Sequence, residues 1–311
     1  MADHSPEAQA WFSWQLCKLA AERGFPRSAA VHGRSAVALF RQMDQLHFQH
    51  FALAHLSIAL ALSGDTREAK AALTALDALE LGRSRFWTCD VFQARAWVAA
   101  IDGDLPSAHS VLREASALAA FTGDYVAEAS TLHMMARLGA AHDVSDRLAY
   151  LADQVEGRLI DLRAGHARAL ATSDALALER LSAEFEDTDA LLLAAEAAAD
   201  AATVWRRGGA ARRANSAQRR SDQLARYCED PSTPKLVAVR GSCQLTRAES
   251  QVAKLAAAGV SNQRIADQLC VSRRTVENQL QHVYSKLGLA GRGELAGALA
   301  ATTRPRLTGG R

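Results

Sequence analysis

Apolar positions along this chain follow two different patterns. From the N-terminus to about residue 228 they recur at helical spacing, in runs of roughly 12 to 18 residues separated by short polar turns. The clearest turns are Ser63-Gly64-Asp65, Asp102-Gly103-Asp104, Gly123-Asp124 and Gly208-Gly209. Beyond residue 244 the runs shorten, and each is introduced by a hydroxyl residue suited to capping a helix. Ala and Leu dominate throughout while aromatic and β-branched residues are scarce, so an all-α fold is expected.

Two stretches of the longer region align with each other, ALALSGDTREAKAAL (59–73) and WVAAIDGDLPSAHSVL (97–112), at an offset of 39 residues. In both, a glycine is followed five residues later by an alanine, Gly64 by Ala69 and Gly103 by Ala108, and Gly209 with Ala214 repeats the spacing. A glycine can end one helix in a left-handed conformation, and a small alanine lets the next helix pack closely. The pattern resembles a degenerate tetratricopeptide-like array of helical hairpins, with a longer period than the usual ~34 residues. Stacked hairpins leave a groove able to hold a peptide, a small ligand or a partner domain.

Residues 229–235, with two prolines and polar neighbours, read as a solvent-exposed break. The expected organisation is therefore a helical-repeat sensor or interaction domain over 1–228, a linker over 229–243, a small helical domain over 244–303 and a flexible basic tail over 304–311. Charge supports that division. Residues 1–235 carry 25 Lys/Arg against 30 Asp/Glu, and residues 236–311 carry 11 against 4. The acidic body and basic end hidden behind a net charge of +2 fit a nucleic-acid contact confined to the C-terminus.

Within 244–303, Thr246 and Glu249 have the spacing of a capping box that opens a first helix burying Val252, Leu255 and Ala256, with Gly259 at its end. Ser261 caps a short second helix carrying Ile265, Ala266 and Leu269. A tight connection through Cys270 and Val271 leads to Ser272, the cap of a third helix over 273–287. Val276, Leu280, Val283 and Leu287 form its apolar stripe, and Arg274, Thr275, Asn278, Gln281, His282 and Ser285 occupy the opposite face. Amides on such a face can bond base edges, so a helix-turn-helix is the expected motif.

Other chemistry is sparse. The chain has no phosphate-binding G-x-x-x-x-G-K-[ST] loop, no H-E-x-x-H and no G-x-S-x-G, and it is read as a non-enzyme without cofactor or metal. His47, His50 and His55 share one helix, but a metal would need a further ligand from elsewhere. Trp11, Phe12 and Trp14 read as packing of an end helix, and the arginine pairs 206–207, 212–213 and 219–220 as a solvated face. Five scattered cysteines without metal-ligand spacing read as reduced thiols. No signal peptide is evident, and Glu196 and Asp200 interrupt the Ala-rich run at 190–202, so a cytoplasmic protein without membrane association is expected.

Residues 245–299 resemble the LuxR-type helix-turn-helix family of bacterial transcription regulators. The resemblance runs through Leu245-Thr246, Glu249, Val252, Leu255, Gly259, Ser261-Asn262, Ile265-Ala266, Leu269, Ser272, Thr275-Val276, Leu280, Lys286-Leu287-Gly288, Arg292 and Glu294-Leu295. It implies a four-helix domain whose third helix enters the major groove of double-stranded DNA. Glu277, Asn278 and Gln281 would then lie nearest the bases, with Arg273, Arg274, Thr275, His282 and Lys286 at phosphates. The fourth helix would mediate homodimerisation through Leu295 and Leu299. The sequence departs from the family pattern at Gln279, commonly His, and at Ala248, commonly basic. Gly291 and Gly293 replace a typical Ser and Thr, weakening the cap and helicity of the fourth helix.

The helical array resembles the arm preceding this module in large ATP-dependent LuxR-type regulators, whose nucleotide-binding domain this sequence lacks. A natural short form and the product of a split gene both remain open. The resemblance implies a sequence-specific regulator whose array senses a ligand or partner. The rival reading is a helical-repeat interaction adaptor whose C-terminal module no longer binds DNA effectively.

Overall fold

A computed structural model describes residues 5–79, 88–243, 245–287, 289, 291–297 and 299. Among the described residues there is no strand, in agreement with the all-α expectation. The chain runs through α1 (Pro6–Arg23), α2 (Pro26–Gln42), α3 (Leu46–Leu62), α4 (Thr66–Asp77), α5 (Thr88–Ile101), α6 (Leu105–Thr122) and α7 (Tyr125–Met135). A π-helical turn, Ala136–Ala140, leads to α8 (Ala141–Gln154), α9 (Arg158–Ala171), α10 (Ala175–Asp187), α11 (Leu191–Arg207) and α12 (Ala211–Tyr227). Then come α13 (Pro234–Cys243), α14 (Arg247–Ala257), α15 (Asn262–Leu269) and α16 (Arg273–Leu287). The tail expected at 304–311 lies outside the described residues.

Helices α1 to α12 pair as six consecutive hairpins. Each hairpin turns at a residue of positive φ: Gly24, Gly64, Gly103, Gly139, Ser173 and Gly209, spaced 34 to 40 residues apart. Left-handed backbone there lets following amides bond the last free carbonyls, as Asp65 N does to Leu60 O (3.0 Å) and Asp104 N to Ala99 O (2.9 Å). Asp65, Asp104 and Asp174 then cap the next helix by accepting from the amides of Glu68, Ser107 and Ala177. Five residues after each turn a buried side chain seats that helix: Ala29, Ala69, Ala108, Val144, Leu178 and Ala214. The sequence pattern marks the turns at Gly64, Gly103 and Gly209, and Gly24, followed five residues later by Ala29, has the same spacing. By contrast, Gly139 sits in an unbroken helical run and the left-handed position at Ser173 is not glycine.

The first helix of each hairpin faces inward, and α11 returns to meet α1, so the array closes on itself. Arg23 pairs with Asp189 across this closure. The segment after α12, expected as a solvated linker over 229–243, instead belongs to it. The Glu229 carboxylate caps α2, accepting from Arg27 N (2.8 Å), Ser28 N (3.1 Å) and Ser28 Oγ (2.6 Å). Ser232 N donates to Leu62 O at 2.7 Å. Pro234 opens α13 rather than blocking it, because the first turn of a helix needs no proline N–H. Leu236 and Val239 of α13 are buried in the core of the array.

Trp14 is buried and stacks on Phe51, and Trp11 packs against Phe40 and Phe48, whereas Phe12 is exposed. His55 Nδ1 lies 3.0 Å from both Trp14 Nε1 and the Phe51 carbonyl oxygen, and His55 Nε2 lies 3.9 Å from Asp90 Oδ1. His47 is exposed, and among the described residues no group of three His, Cys, Asp or Glu could hold a metal ion. Of the paired arginines, Arg220 bonds Ser182 and Glu186 and Arg213 covers the Trp205 ring, while Arg207, Arg212 and Arg219 are exposed. Among the described residues no helix is long and apolar enough to cross a membrane.

The core is not apolar throughout. On α11, Glu196 and Asp200 lie one turn apart and both are buried. Glu196 takes a two-pronged bond from Arg137 (2.6 and 3.0 Å), whose guanidinium also covers Trp97. Asp200 accepts from Lys235 Nζ of α13 (2.6 Å) and from His166 Nε2 (3.2 Å), and His166 Nδ1 meets His133 Nε2 at 3.0 Å. With neutral rings the carboxylate aligns the tautomers, so His166 donates to Asp200 and His133 donates to His166.

Burial holds the His133 pKa well below its ordinary 6.5, helped by the neighbouring His166, Arg163, Arg137 and Lys235. A depressed pKa means that the folded state binds fewer protons than the unfolded chain below pH 6.5. Stability is therefore complete above that value and falls as pH drops, by up to about 1.4 kcal/mol per pH unit. Urea unfolding should show a loss of stability between pH 6.5 and 5 that His133→Gln largely abolishes. Equal pH slopes in the two proteins would rule this out.

Candidate nucleic-acid interface

The C-terminal unit is held by its own core. Val252, Ala253 and Ala256 of α14, Ile265 and Ala266 of α15, and Val276, Leu280 and Val283 of α16 are buried together, with Leu255, Leu269 and Leu287 packed around them. The caps that set the three helices form as the spacing implies. Thr246 and Glu249 complete a capping box, Ser261 accepts from Arg264 N, and Ser272 Oγ accepts from Thr275 N at 3.0 Å. The turn between α15 and α16 is tight because Cys270 adopts left-handed backbone, φ 51° and ψ 44°.

That conformation costs a residue with a β-carbon about 1 kcal/mol or more. Cys270→Gly is therefore expected to stabilise this unit by about 1 kcal/mol, seen as stronger hydrogen-exchange protection of α15 and α16 amides. Weaker protection would show that the thiol contributes more than the backbone strain it imposes.

Opposite the buried stripe, Arg273, Arg274, Asn278, Gln281 and His282 are exposed, and Thr275 and Glu277 are half-buried. Arg273 and Glu277 bond each other at 2.8 Å, a solvent-exposed pair worth only ~0.3–0.5 kcal/mol and easily exchanged for other partners. The Thr275 hydroxyl is 2.8 Å from Ser272 Oγ. Lys286 is more committed. Its Nζ bonds Glu249 at 2.7 Å and ties the end of α16 to the start of α14. Burial pushes the Glu249 carboxyl up, but Lys286 and Thr246 outweigh it and hold the pKa below the ordinary value.

Leu295, expected on a dimer-forming helix, is fully buried in the core of its own unit, so it is not on a surface that a second copy would meet. Leu299 packs against the same cluster. Leu295 follows a short 3-10 turn, Arg292–Glu294, flanked and interrupted by Gly291 and Gly293. Sequence reasoning underrated Arg292, which bonds the Asn262 side chain (2.8 Å) and the Val260 carbonyl and clamps this turn onto the α14–α15 junction. Its position within the matched pattern was the available signal.

Three capped helices around one small core, with a short helix, a sharp turn and a longer helix presenting an exposed amide and cation face, define a helix-turn-helix domain. Residues 243–298 match the family described as bacterial regulatory proteins, luxR family, and this segment is a LuxR-family helix-turn-helix domain. Over 85 residues the chain is 39% identical to the "Putative HTH-type transcriptional regulator Mb0914c" of Mycobacterium bovis and to its counterpart MT0914 of Mycobacterium tuberculosis. A further M. tuberculosis protein of the same description, Rv0890c, is 38% identical. Each match covers 27% of this chain and 10% of the relative, so the chain spans about a tenth of the length of the curated relatives it matches. No solved structure matches it.

Proposed function

We propose that this protein is a sequence-specific DNA-binding transcription regulator, with residues 1–228 as a sensing array and 244–303 as the DNA-binding domain. The observation that carries the reading is α16, a capped helix with a buried apolar stripe and an exposed face bearing Asn278, Gln281, Arg273 and Arg274. The naming of the relatives as transcriptional regulators supports it.

In this reading α16 lies in the major groove. Asn278 and Gln281 hydrogen-bond base edges, most favourably adenine, and Glu277, released from Arg273, accepts from cytosine. Arg273, Arg274 and Thr275 at the start of α16, and His282 and Lys286 in its C-terminal half, contact phosphates. Any homodimer on DNA would use a surface other than Leu295. The array reads a ligand or partner, and α13 joins it directly to the DNA-binding domain.

Fluorescence anisotropy of the full chain on DNA from upstream of its own gene tests the reading. The expected result is binding ~10³-fold or more tighter than to random duplex, weakening steeply with salt. Equal affinity for both duplexes at every salt concentration would overturn it in favour of an interaction adaptor.

A further inference from the structure

The closed array surrounds a cavity of about 540 Å³, a size suited to a small organic ligand. Apolar side chains, Ile58, Leu62, Trp97, Met134, Leu192 and Leu193 among them, share its wall with polar and charged ones. Most charges on the wall are already matched. Arg23 pairs with Asp189, Arg137 pairs with Glu196, and Asp124 caps α7. Glu22 and Asp90 also line it, with Asp90 Oδ1 3.9 Å from His55 Nε2, and Lys18 lies one turn from Glu22 on α1.

Arg163 of α9 is different. Its Nε is shut off from solvent without a hydrogen-bond partner, and among the described residues its guanidinium meets no carboxylate within ion-pair distance. An arginine does not shed its proton near neutral pH, so a positive charge stands on this wall with no matching contact. Burial pulls its pKa down, and only Glu22 opposes that pull.

Resting on the reading of the array as a sensor, we propose that this cavity binds a small organic monocarboxylate. Its anionic group is received by Arg163, and its apolar body lies against Ile58, Leu62, Trp97 and Leu193. Arg163, a guanidinium without an ion pair beside apolar side chains, calls for one negative charge on an apolar frame, and a planar carboxylate fits its fork. A tetrahedral phosphate matches the planar fork less well, and Glu22 and Asp90 on the same wall repel the second charge of a dianion. His133 lines the same cavity, and its hydrogen-bond chain through His166 and Asp200 ends at Lys235 on α13, the helix leading into the DNA-binding domain. Occupancy is thereby linked to the position of α13.

Thermal unfolding of the full chain with octanoate, benzoate, octanol, benzyl alcohol and phenyl phosphate tests the site. Octanoate or benzoate should raise Tm by about 3–6 °C at ten times its Kd, while the alcohols and the phosphate ester leave it unchanged. In Arg163→Met that rise should vanish, and the ligand-free Tm should equal or exceed that of the wild type, because an unmatched buried charge has been removed. The proposal is overturned if no acid raises Tm, if alcohols or phenyl phosphate act equally, if Arg163→Met responds like wild type, or if its ligand-free Tm falls. DNA anisotropy run in parallel separates the two readings. An Arg163-dependent Tm shift without any change in DNA affinity supports the carboxylate site and removes the sensing role. A change in DNA affinity driven only by neutral probes does the opposite.

Discussion

Replacing Asp200 by alanine should destabilise the array by about 3–5 kcal/mol, the usual cost of stranding the partner of a buried charge. Asp200 is the junction of three helices, joining His166 on α9 and Lys235 on α13 to α11. Without it the Lys235 ammonium, which is 18% exposed, has no counter-charge, and the tautomer order of His166 and His133 is no longer imposed. The loss should appear in urea unfolding, and exchange protection of α13 amides should fall with it. Asp200→Leu combined with Lys235→Met should recover most of the stability, since buried pairs replaced by apolar residues are often neutral or better.

The pH dependence gives an independent check. Burial raises the Asp200 pKa, but Lys235 and His166 outweigh it, so the net shift is below the ordinary 3.8. A depressed carboxylate contributes stability above pH 3.8 and loses it as pH falls through the folded value. Wild type and Asp200→Ala should therefore differ at pH 7 and converge in strong acid. A cost under ~1 kcal/mol at pH 7 would mean that solvent reaches this network.

On DNA, the double substitution of Asn278 and Gln281 by alanine should cut discrimination between the cognate site and random duplex by at least ~30-fold. Each amide pair with a base is worth ~1–3 kcal/mol, so together they account for a specificity ratio of about 30-fold up to ~10⁴-fold. Both side chains are exposed, so the fold and Tm should not change. The slope of affinity against salt should also persist, because it counts phosphate contacts that the variant keeps. Arg273→Ala should do the converse, lowering affinity on all sequences and reducing the salt slope by ~1. Undiminished discrimination in the double variant would move base reading away from this face of α16.

The C-terminal unit was legible because its information is local. A capping box at Thr246 and Glu249, caps at Ser261 and Ser272, and one apolar stripe on α16 lie within a few residues of what they specify. The commitment of Lys286 to Glu249 and the burial of Leu295 were not legible, since both depend on how α14, α16 and the following turn meet. In the array, glycine at 64, 103 and 209 marked three hairpin turns, but the turns at Gly139 and Ser173 carry no such mark. Glu196 and Asp200 seemed only to interrupt an apolar run, and their i,i+4 placement on one face was the unread sign of buried ion pairs.

Backbone preference and periodicity act within one or two helical turns, and they suffice to make this chain all-helical, to set most of its hairpins and to build the DNA-reading helix. Closure of the ring, the use of residues 229–243 to seal it, and the meeting of His133, His166, Asp200 and Lys235 arise from contacts between residues 33 to more than 200 positions apart. Those depend on the small change of direction at each hairpin summed over six repeats. No local pattern encodes that sum, so only the assembled helices show that the array encloses a cavity, with Arg163 on its wall.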